Sequence, residues 1–291
     1  MHTSYQRNWQ RKLSQPLLLF FRTSIKSTLF SLILGALLVI NAHASTDHLT
    51  QNAPVAVCDD ENLWPPYAFI QDHTLTGAMI ETTKAIFNLA NIPYQIHLTP
   101  WKRCLYQVEH FQGDPTFEVF INGTYSEERA SKFLVSQTVY STGNAYFYSK
   151  DMFDAAPHIK TLSDLNDFSV CGVHGYNYDM YKIKARQLSV VANDLHSAFR
   201  LLKSGRCEVI LNAYSVPYGS LFTDNPMIDD SIEAKIFEEL PAQSFHVFVS
   251  KKTPRAGFLI NQINQAITTM KNNGQIDAIF RKYLPDCGAD C

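Results

Sequence analysis

Apolar and polar positions along this chain switch repeatedly between a period of two and a period near 3.6. Pro54–Asp59 (PVAVCD) is a short apolar run ending in acid, as a buried strand does where it meets a loop. Ala78–Asn91 sets Met79, Ile80, Phe87 and Ala90 near helical spacing and is stopped by Pro93. Tyr94–Leu98 alternates as a strand. Trp101–Phe111 follows as a helix, with Pro100 suited to its first position, and Phe117–Ile121 is strand-like again. Ser126-Glu127-Glu128-Arg129 reads as the start of another helix. Strands and helices in this order predict a parallel α/β sheet.

A second stretch repeats the alternation. Thr161–Asn166 reads as a short helix, Phe168–Val173 as a strand, and Asn177–Gln187 as a helix after a turn at Gly172 and Gly175. Asn193-Asp194 is suited to cap a helix Leu195–Lys203, which Gly205 closes, and Cys207–Leu211 (CEVIL) is a short buried strand. Phe245–Val249 is a strand, and the helices Ile260–Met270 and Gln275–Tyr283 flank Asn273-Gly274. Strand crossings near 143–149 and 241–249 predict two Rossmann-like α/β lobes with parallel-type sheets, joined by two hinge strands with a ligand cleft between them. Ligands of such sheets bind outside the carboxyl ends of the strands. The loops of interest are therefore 59–69, 99–103, 122–129, 174–178 and 212–217.

One segment fits neither period. Leu29–Ile40 is the one long apolar run, preceded by a basic stretch and followed by Ala42-His43-Ala44-Ser45, the pattern of a secretory signal peptide cut after Ala44. A membrane span needs ~20 apolar residues, and Arg22 and Lys26 interrupt any extension backward. An uncleaved N-terminal anchor is the alternative. The leader also changes the charge picture. The 291 residues carry 25 basic and 27 acidic groups, a formal −2, yet residues 1–44 hold five of the basic groups and no acid. The remainder is acidic, with a net charge of −7, and argues against nucleic acid as the main partner, since phosphate binding needs a basic face. An apolar content of 46% excludes a disordered chain.

Six cysteines, Cys58, Cys104, Cys171, Cys207, Cys287 and Cys291, all follow the leader. An even set in an exported chain favours disulfides, with buried free thiols as the alternative. No CxxC pair supports zinc. The spacing alone permits 15 pairings and chooses none.

The loops named above hold Asp59, Asp60, Trp64, Tyr67, Trp101, Arg103, Tyr125, Arg129, His174, Tyr176, Tyr178, Asn212 and Tyr214. Aromatic faces suit apolar or planar ligand parts, and a guanidinium fork suits carboxylate or phosphate. Arg129 follows Asn122-Gly123-Thr124 and falls in the first turn of a helix, where backbone N–H groups add to its pull on an anion. The alternative is a surface arginine paired with Glu127 or Glu128. Arg103 reads more simply as an exposed helix charge; for Trp64 and Tyr67 beside Pro65-Pro66, loop stiffening is the alternative to a ligand contact. Asp59 and Asp60 are adjacent carboxylates, but neighbours on an extended strand point opposite ways. No GxSxG, HExxH, P-loop or GxGxxG occurs, so hydrolase, zinc-protease and nucleotide readings lack their signatures, and nothing calls for a cofactor or metal.

The segments CDDENLWPPYAF (58–69), GAMIETTKAIF (77–87), TPWKRC (99–104), NGTYSEERASKFLVSQTVYS (122–141), VCGVHGYNY (170–178), LLKSGRCEVIL (201–211) and INQAITTMKNNGQIDAIFRKYL (263–284) together resemble the family 3, amino-acid type, solute-binding proteins of bacterial ABC transporters. The resemblance spans roughly 54–285. It implies a type II periplasmic-binding-protein fold, with 53–140 and 246–285 as one lobe, 145–240 as the other, and 286–291 as a tail. It also implies a monomeric periplasmic protein, not an enzyme, that closes on a small molecule and delivers it to an ABC permease. By the same resemblance Arg129 holds a ligand α-carboxylate with Thr124 beside it, Trp64 and Trp101 are aromatic walls, and Asp59 is a polar contact. Tyr67 and Arg103 on the same lobe, and Tyr176 and Asn212 on the other, complete the expected ligand set. The acid that would meet an ammonium group after CEVIL is replaced by Asn212; either Asn212 and tyrosine faces meet the ammonium or the ligand lacks one, which broadens the expected ligand to a small carboxylate-bearing or other polar solute. The implied fold pairs Cys58 with Cys104, Cys171 with Cys207 and Cys287 with Cys291. Two alternatives share the scaffold: a periplasmic dehydratase of a cyclic carboxylate, using His174 or Asp60, and a sensing module for a membrane receptor.

Overall fold

The computed structural model describes residues 53–112, 116–184, 187–237 and 239–284. The predicted leader, and with it the cleavage site, lies outside them, as do Cys287 and Cys291. The elements run β1 Val55–Asp60, a hairpin of β2 Phe69–Gln71 and β3 Thr74–Thr76, α1 Ala78–Leu89, β4 Tyr94–Thr99, α2 Trp101–Glu109, β5 Val119–Thr124, α3 Glu127–Lys132, β6 Phe133–Val135 and β7 Tyr140–Thr142. There follow β8 Asn144–Ser149, β9 Val170–Val173, β10 Val190–Ala192, α4 Leu195–Lys203, β11 Val209–Ala213, α5 Ser215–Gly219, β12 Ile232–Ile236, β13 Gln243–Ser250, α6 Ala256–Asn272 and α7 Gln275–Arg281.

The strands form two main sheets. The first has the order β4-β1-β5-β13-β6, with β7 also on β13; the second has the order β10-β9-β11-β8-β12. In each, three strands run parallel, and antiparallel strands follow, led by a strand entering from the crossing: β13 in the first and β8 in the second. The sheets are thus mixed rather than purely parallel. Burial reads the same way for either strand direction, so the apolar runs did not reveal it. The chain passes between sheets at 142–144 and again before Gln243, and β7 pairs with β13 at that place through Tyr140–Phe245 and Thr142–Gln243.

Alternation along the strands explains the two layers of the first sheet. Val55, Val57, Val119, Ile121, Val247 and Val249 join the core cluster that holds the apolar faces of α1, α6 and α7. Their neighbours Cys58, Phe120 and Phe248 belong to a separate cluster with Trp101, Cys104 and Val108 of α2. The Cys58–Cys104 bond ties α2 to the end of β1, and Cys171–Cys207 ties β9 to the residues leading into β11, two of the pairings the family resemblance implied. In place of the helix expected over 177–187, the described residues begin with a 3₁₀ turn at Asp179–Tyr181, ended by Lys182 at φ 55°. Asn177 explains this locally: its side chain accepts from the Asp179 N–H and donates to residues of the other sheet unit.

Candidate functional site

The carboxyl ends of β1, β5 and β11, the segment after β9 and the beginning of β13 converge on one cleft of about 540 Å³, its mouth included. Asp59, Asp60, Trp64, Trp101, Asn122, Thr124, Arg129, Tyr176, Asn177, Tyr178, Tyr181, Leu211, Asn212, Gln243 and Phe245 line it. Six of these fifteen residues are aromatic and eight are polar or charged, so ring faces and directional polar groups converge on one concave space, as a site for a small polar molecule requires.

Arg129 is the third residue of α3, and the Ser126 hydroxyl caps that short helix by accepting the Arg129 N–H. The backbone donor expected to reinforce an anion is therefore already used. The guanidinium is aimed differently. Nη1 donates to the Thr124 carbonyl and hydroxyl, both at 2.9 Å, and Nη2 donates to the Gly175 carbonyl at 3.1 Å on the opposite unit. It also stands 5.7 Å from the Trp101 ring centroid. The surface pairings offered as alternatives do not form: Glu128 pairs with Lys132 and Glu127 accepts from the Tyr125 hydroxyl. Among the described residues Arg129 has no ion pair. Desolvation draws its pKa down to about 10, opposed by Glu128 and Asp179, so it remains a cation at neutral pH.

The acidic wall is differently committed. Asp59 is buried at the end of β1; its Oδ1 accepts from the Asp60 N–H and its Oδ2 from Asn122 Nδ2 at 2.6 Å. Asn122, at φ 57°, in turn accepts the Tyr140 hydroxyl. Loss of water pushes Asp59 up to about 8 despite those donors, and pushes Asp60 up to about 6 despite hydrogen bonds from Asn62. Adjacent side chains diverge within a strand, yet both carboxylates reach the cleft because β1 ends there. The far wall carries Tyr176 edge-on to Trp64, with centroids 5.5 Å apart, and Asn212 on β11. Burial raises the Tyr176 and Tyr178 hydroxyls well above their usual range, so both remain neutral. Trp101 Nε1 donates to the same Gly175 carbonyl as Arg129, and Asn177 Nδ2 donates to Thr124 Oγ1 and the Tyr125 carbonyl. The two units thus touch across the cleft.

The structure brings together Arg129, Thr124, Asp59, Trp64, Trp101, Tyr176 and Asn212 of the expected set. Two members fall elsewhere. Tyr67 is fully buried, stacked on Tyr140 at 4.3 Å with its hydroxyl 2.7 Å from Ser215 Oγ, and is a core residue. Arg103 faces solvent on α2, because Trp101 and Cys104 take the buried side of that helix. His174 is exposed and does not line the cleft, which removes the acid-base donor the enzyme alternative named first. Asn122, Asn177, Tyr181, Leu211, Gln243 and Phe245 were not anticipated as lining residues. For Asn122 the signal was its place before Gly123 at a strand end, where Asn tolerates the left-handed region. No group of three His, Cys, Asp or Glu among the described residues is placed to hold a metal ion.

Comparison with known proteins matches this architecture. The sequence profile of the bacterial extracellular solute-binding proteins, family 3, covers residues 55–286. No curated protein matches the chain. Among solved structures, a histidine kinase sensor domain with similarity to periplasmic binding proteins superposes at TM-score 0.67 with 20% identity, covering 80% of this chain and 97% of its own. An ancestral arginine-binding protein bound to arginine gives 0.65 and 21%, covering 80% and 99%. A chain from the glutathione import system served by a cystine ABC importer of Streptococcus mutans gives 0.66 and 18%, covering 82% and 96%. At such identities these structures show the fold, a type II periplasmic binding protein.

Proposed function

The chain belongs to the bacterial extracellular solute-binding proteins, family 3, and on that premise we propose that it captures a small carboxylate-bearing solute between two closing lobes. In this reading residues 53–140 and 246–285 form one lobe, 145–240 form the other, and the protein acts as a monomer in the periplasm after loss of its leader. Arg129 carries the proposal. It is a cation without an ion pair among the described residues, fixed by Thr124, and it retains two of its five N–H donors after three hydrogen bonds. A guanidinium held this way is a fork for a carboxylate. Trp64, Trp101 and Tyr176 would sandwich the solute body, and an ABC permease would receive the closed form. The fold of an arginine-binding protein and of a chain from a glutathione import system among its structural relatives supports a small, amino-acid-like solute and a transport role. A solute shifts the lobes toward closure only by its preference for the closed state.

A second reading has one observation of its own. The sensor domain of a histidine kinase shares the fold over 80% of this chain, so closure that reports the solute to a membrane receptor is the alternative to delivery. A thermal-shift screen of small carboxylic acids tests the binding claim common to both. An acid that binds raises the melting temperature of the wild type by mass action and leaves Arg129→Ala unshifted. An equal shift in both proteins contradicts the assignment.

A further inference from the structure

Three buried side-chain polar atoms lack a hydrogen-bond partner among the described residues: Trp64 Nε1, Thr83 Oγ1 and Asn212 Nδ2. Thr83 sits in the buried face of α1, away from the cleft lining, whereas Trp64 and Asn212 both form the cleft wall. The Trp64 indole falls short of hydrogen-bond geometry but acts on the Tyr140 hydroxyl, whose ionisation it eases. Asn212 has no such neighbour for its amide nitrogen. It is 4% exposed, near the end of β11.

The orientation of that amide is determined by chemistry. Asn212 Oδ1 accepts from the Ala213 N–H at 2.6 Å. A backbone N–H only donates, so the oxygen must face it and the NH₂ group must turn the other way. The far wall of the cleft therefore ends in a buried donor with nothing to donate to, a state that native proteins keep rare. A solute ammonium brought against it would set donor against donor. The acids of the opposite wall do not compensate simply. Both oxygens of Asp59 already accept hydrogen bonds from the protein, and Asp60 Oδ1 accepts two from Asn62. Arg129, the anchor across the cleft, also offers only donors.

We propose that Asn212 selects solutes that present an acceptor oxygen to it, so that the cleft takes oxo acids, hydroxy acids or dicarboxylates in preference to α-amino acids. This inference rests on the carboxylate reading above and specifies the second group of the same solute. It converts the replacement of an expected acid by Asn212 from a missing contact into a change of ligand class.

The test is calorimetric titration at pH 8 with matched pairs: phenylpyruvate and 3-phenyllactate against L-phenylalanine, and 2-oxoglutarate against L-glutamate. In at least one pair the oxo or hydroxy acid should bind the wild type at least tenfold more tightly than the amino acid, about the worth of one hydrogen bond to a charged or buried group. Asn212→Asp retains an acceptor for the Ala213 N–H and supplies one to an ammonium, so it should reverse the order. Asn212→Ala, which removes the donor and adds no charge, should bring the members of that pair to within about threefold and covers the case in which the aspartate variant does not fold. Amino acids binding as tightly as their partners in every pair, or a preference unchanged in both variants, would overturn the inference. If no member of either pair binds the wild type, the acid giving the largest thermal shift in the screen above is titrated against its α-amino counterpart; a screen without any shift overturns the carboxylate reading and this inference with it.

Discussion

Two arginines sit at opposite ends of the first sheet, and their surroundings differ in kind. Arg255 lies at the amino ends of the parallel strands, 8% exposed, where Nε donates to Glu118 Oε1 at 3.0 Å and Nη2 pairs with Glu118 Oε2. Nη1 donates to the Ala53 carbonyl at 2.6 Å, and the Thr253 hydroxyl completes the group on Glu118. Arg129 lies at the carboxyl ends, held by uncharged oxygens and facing a cleft, without a counter-charge within ion-pair distance among the described residues. The first guanidinium is neutralised by its own protein. The second is positioned by neutral acceptors and left for a charge from outside. Burial of a cation alone therefore does not mark a site; the absence of its counter-ion does.

Breaking the structural pair should have the largest effect. Glu118→Ala leaves Arg255 charged and buried, and should cost about 3–5 kcal/mol of stability by chemical denaturation. Solute affinity of the folded fraction should be unchanged. A comparable loss of affinity would erase the distinction between the two ends.

The carboxylate at the cleft end has a pH signature. Burial raises Asp59 from the ordinary carboxylate value of 3.8 to about 8 in the folded protein. An unfolded chain then releases its proton first, so this group makes folding less favourable as pH rises from about 4 to about 8. The slope is at most about 1.4 kcal/mol per pH unit, and it vanishes below and above that window. Asp59→Asn should flatten that part of the stability-against-pH curve, measured by urea denaturation between pH 5 and 8. An identical slope in the variant would show that Asp59 is ionised in the folded cleft.

A smaller effect belongs to the contact between the units. Gly175 has φ 82°, and a Cβ there would lie 3.1 Å from Trp101 Cδ1. Its carbonyl receives both Trp101 Nε1 and Arg129 Nη2. Gly175→Ala should lower stability by about 1 kcal/mol through the left-handed backbone and reduce affinity a fewfold by opposing closure. Unaltered affinity would mean that this contact is not part of the bound state.

The same contrast explains which parts were legible in the sequence. Strand ends could be read from apolar runs that stop in polar residues, and these located Asp59, Thr124, Arg129 and Asn212. The cysteine pairs 58–104 and 171–207 needed the family resemblance, because spacing alone left every pairing open. Tyr67 was misjudged because the loop WPPYAF carries no periodicity. Its ring instead joins Tyr140 and Phe245 in a stack beneath the crossing. Gln243 and Phe245 were missed for a related reason. They lie on β13, whose antiparallel entry brings its beginning, rather than its end, to the cleft, and strand direction leaves no trace in a pattern of burial. Glu118 and Arg255 are 137 positions apart, and nothing local links them.

The central claim is that Arg129 is the cation kept for the solute. Isothermal titration of the acid giving the largest thermal shift, into wild type and Arg129→Ala, tests it most directly. The account predicts a loss of more than about 2 kcal/mol, or roughly thirtyfold in Kd, with the fold intact. Equal affinity in the two proteins would contradict it.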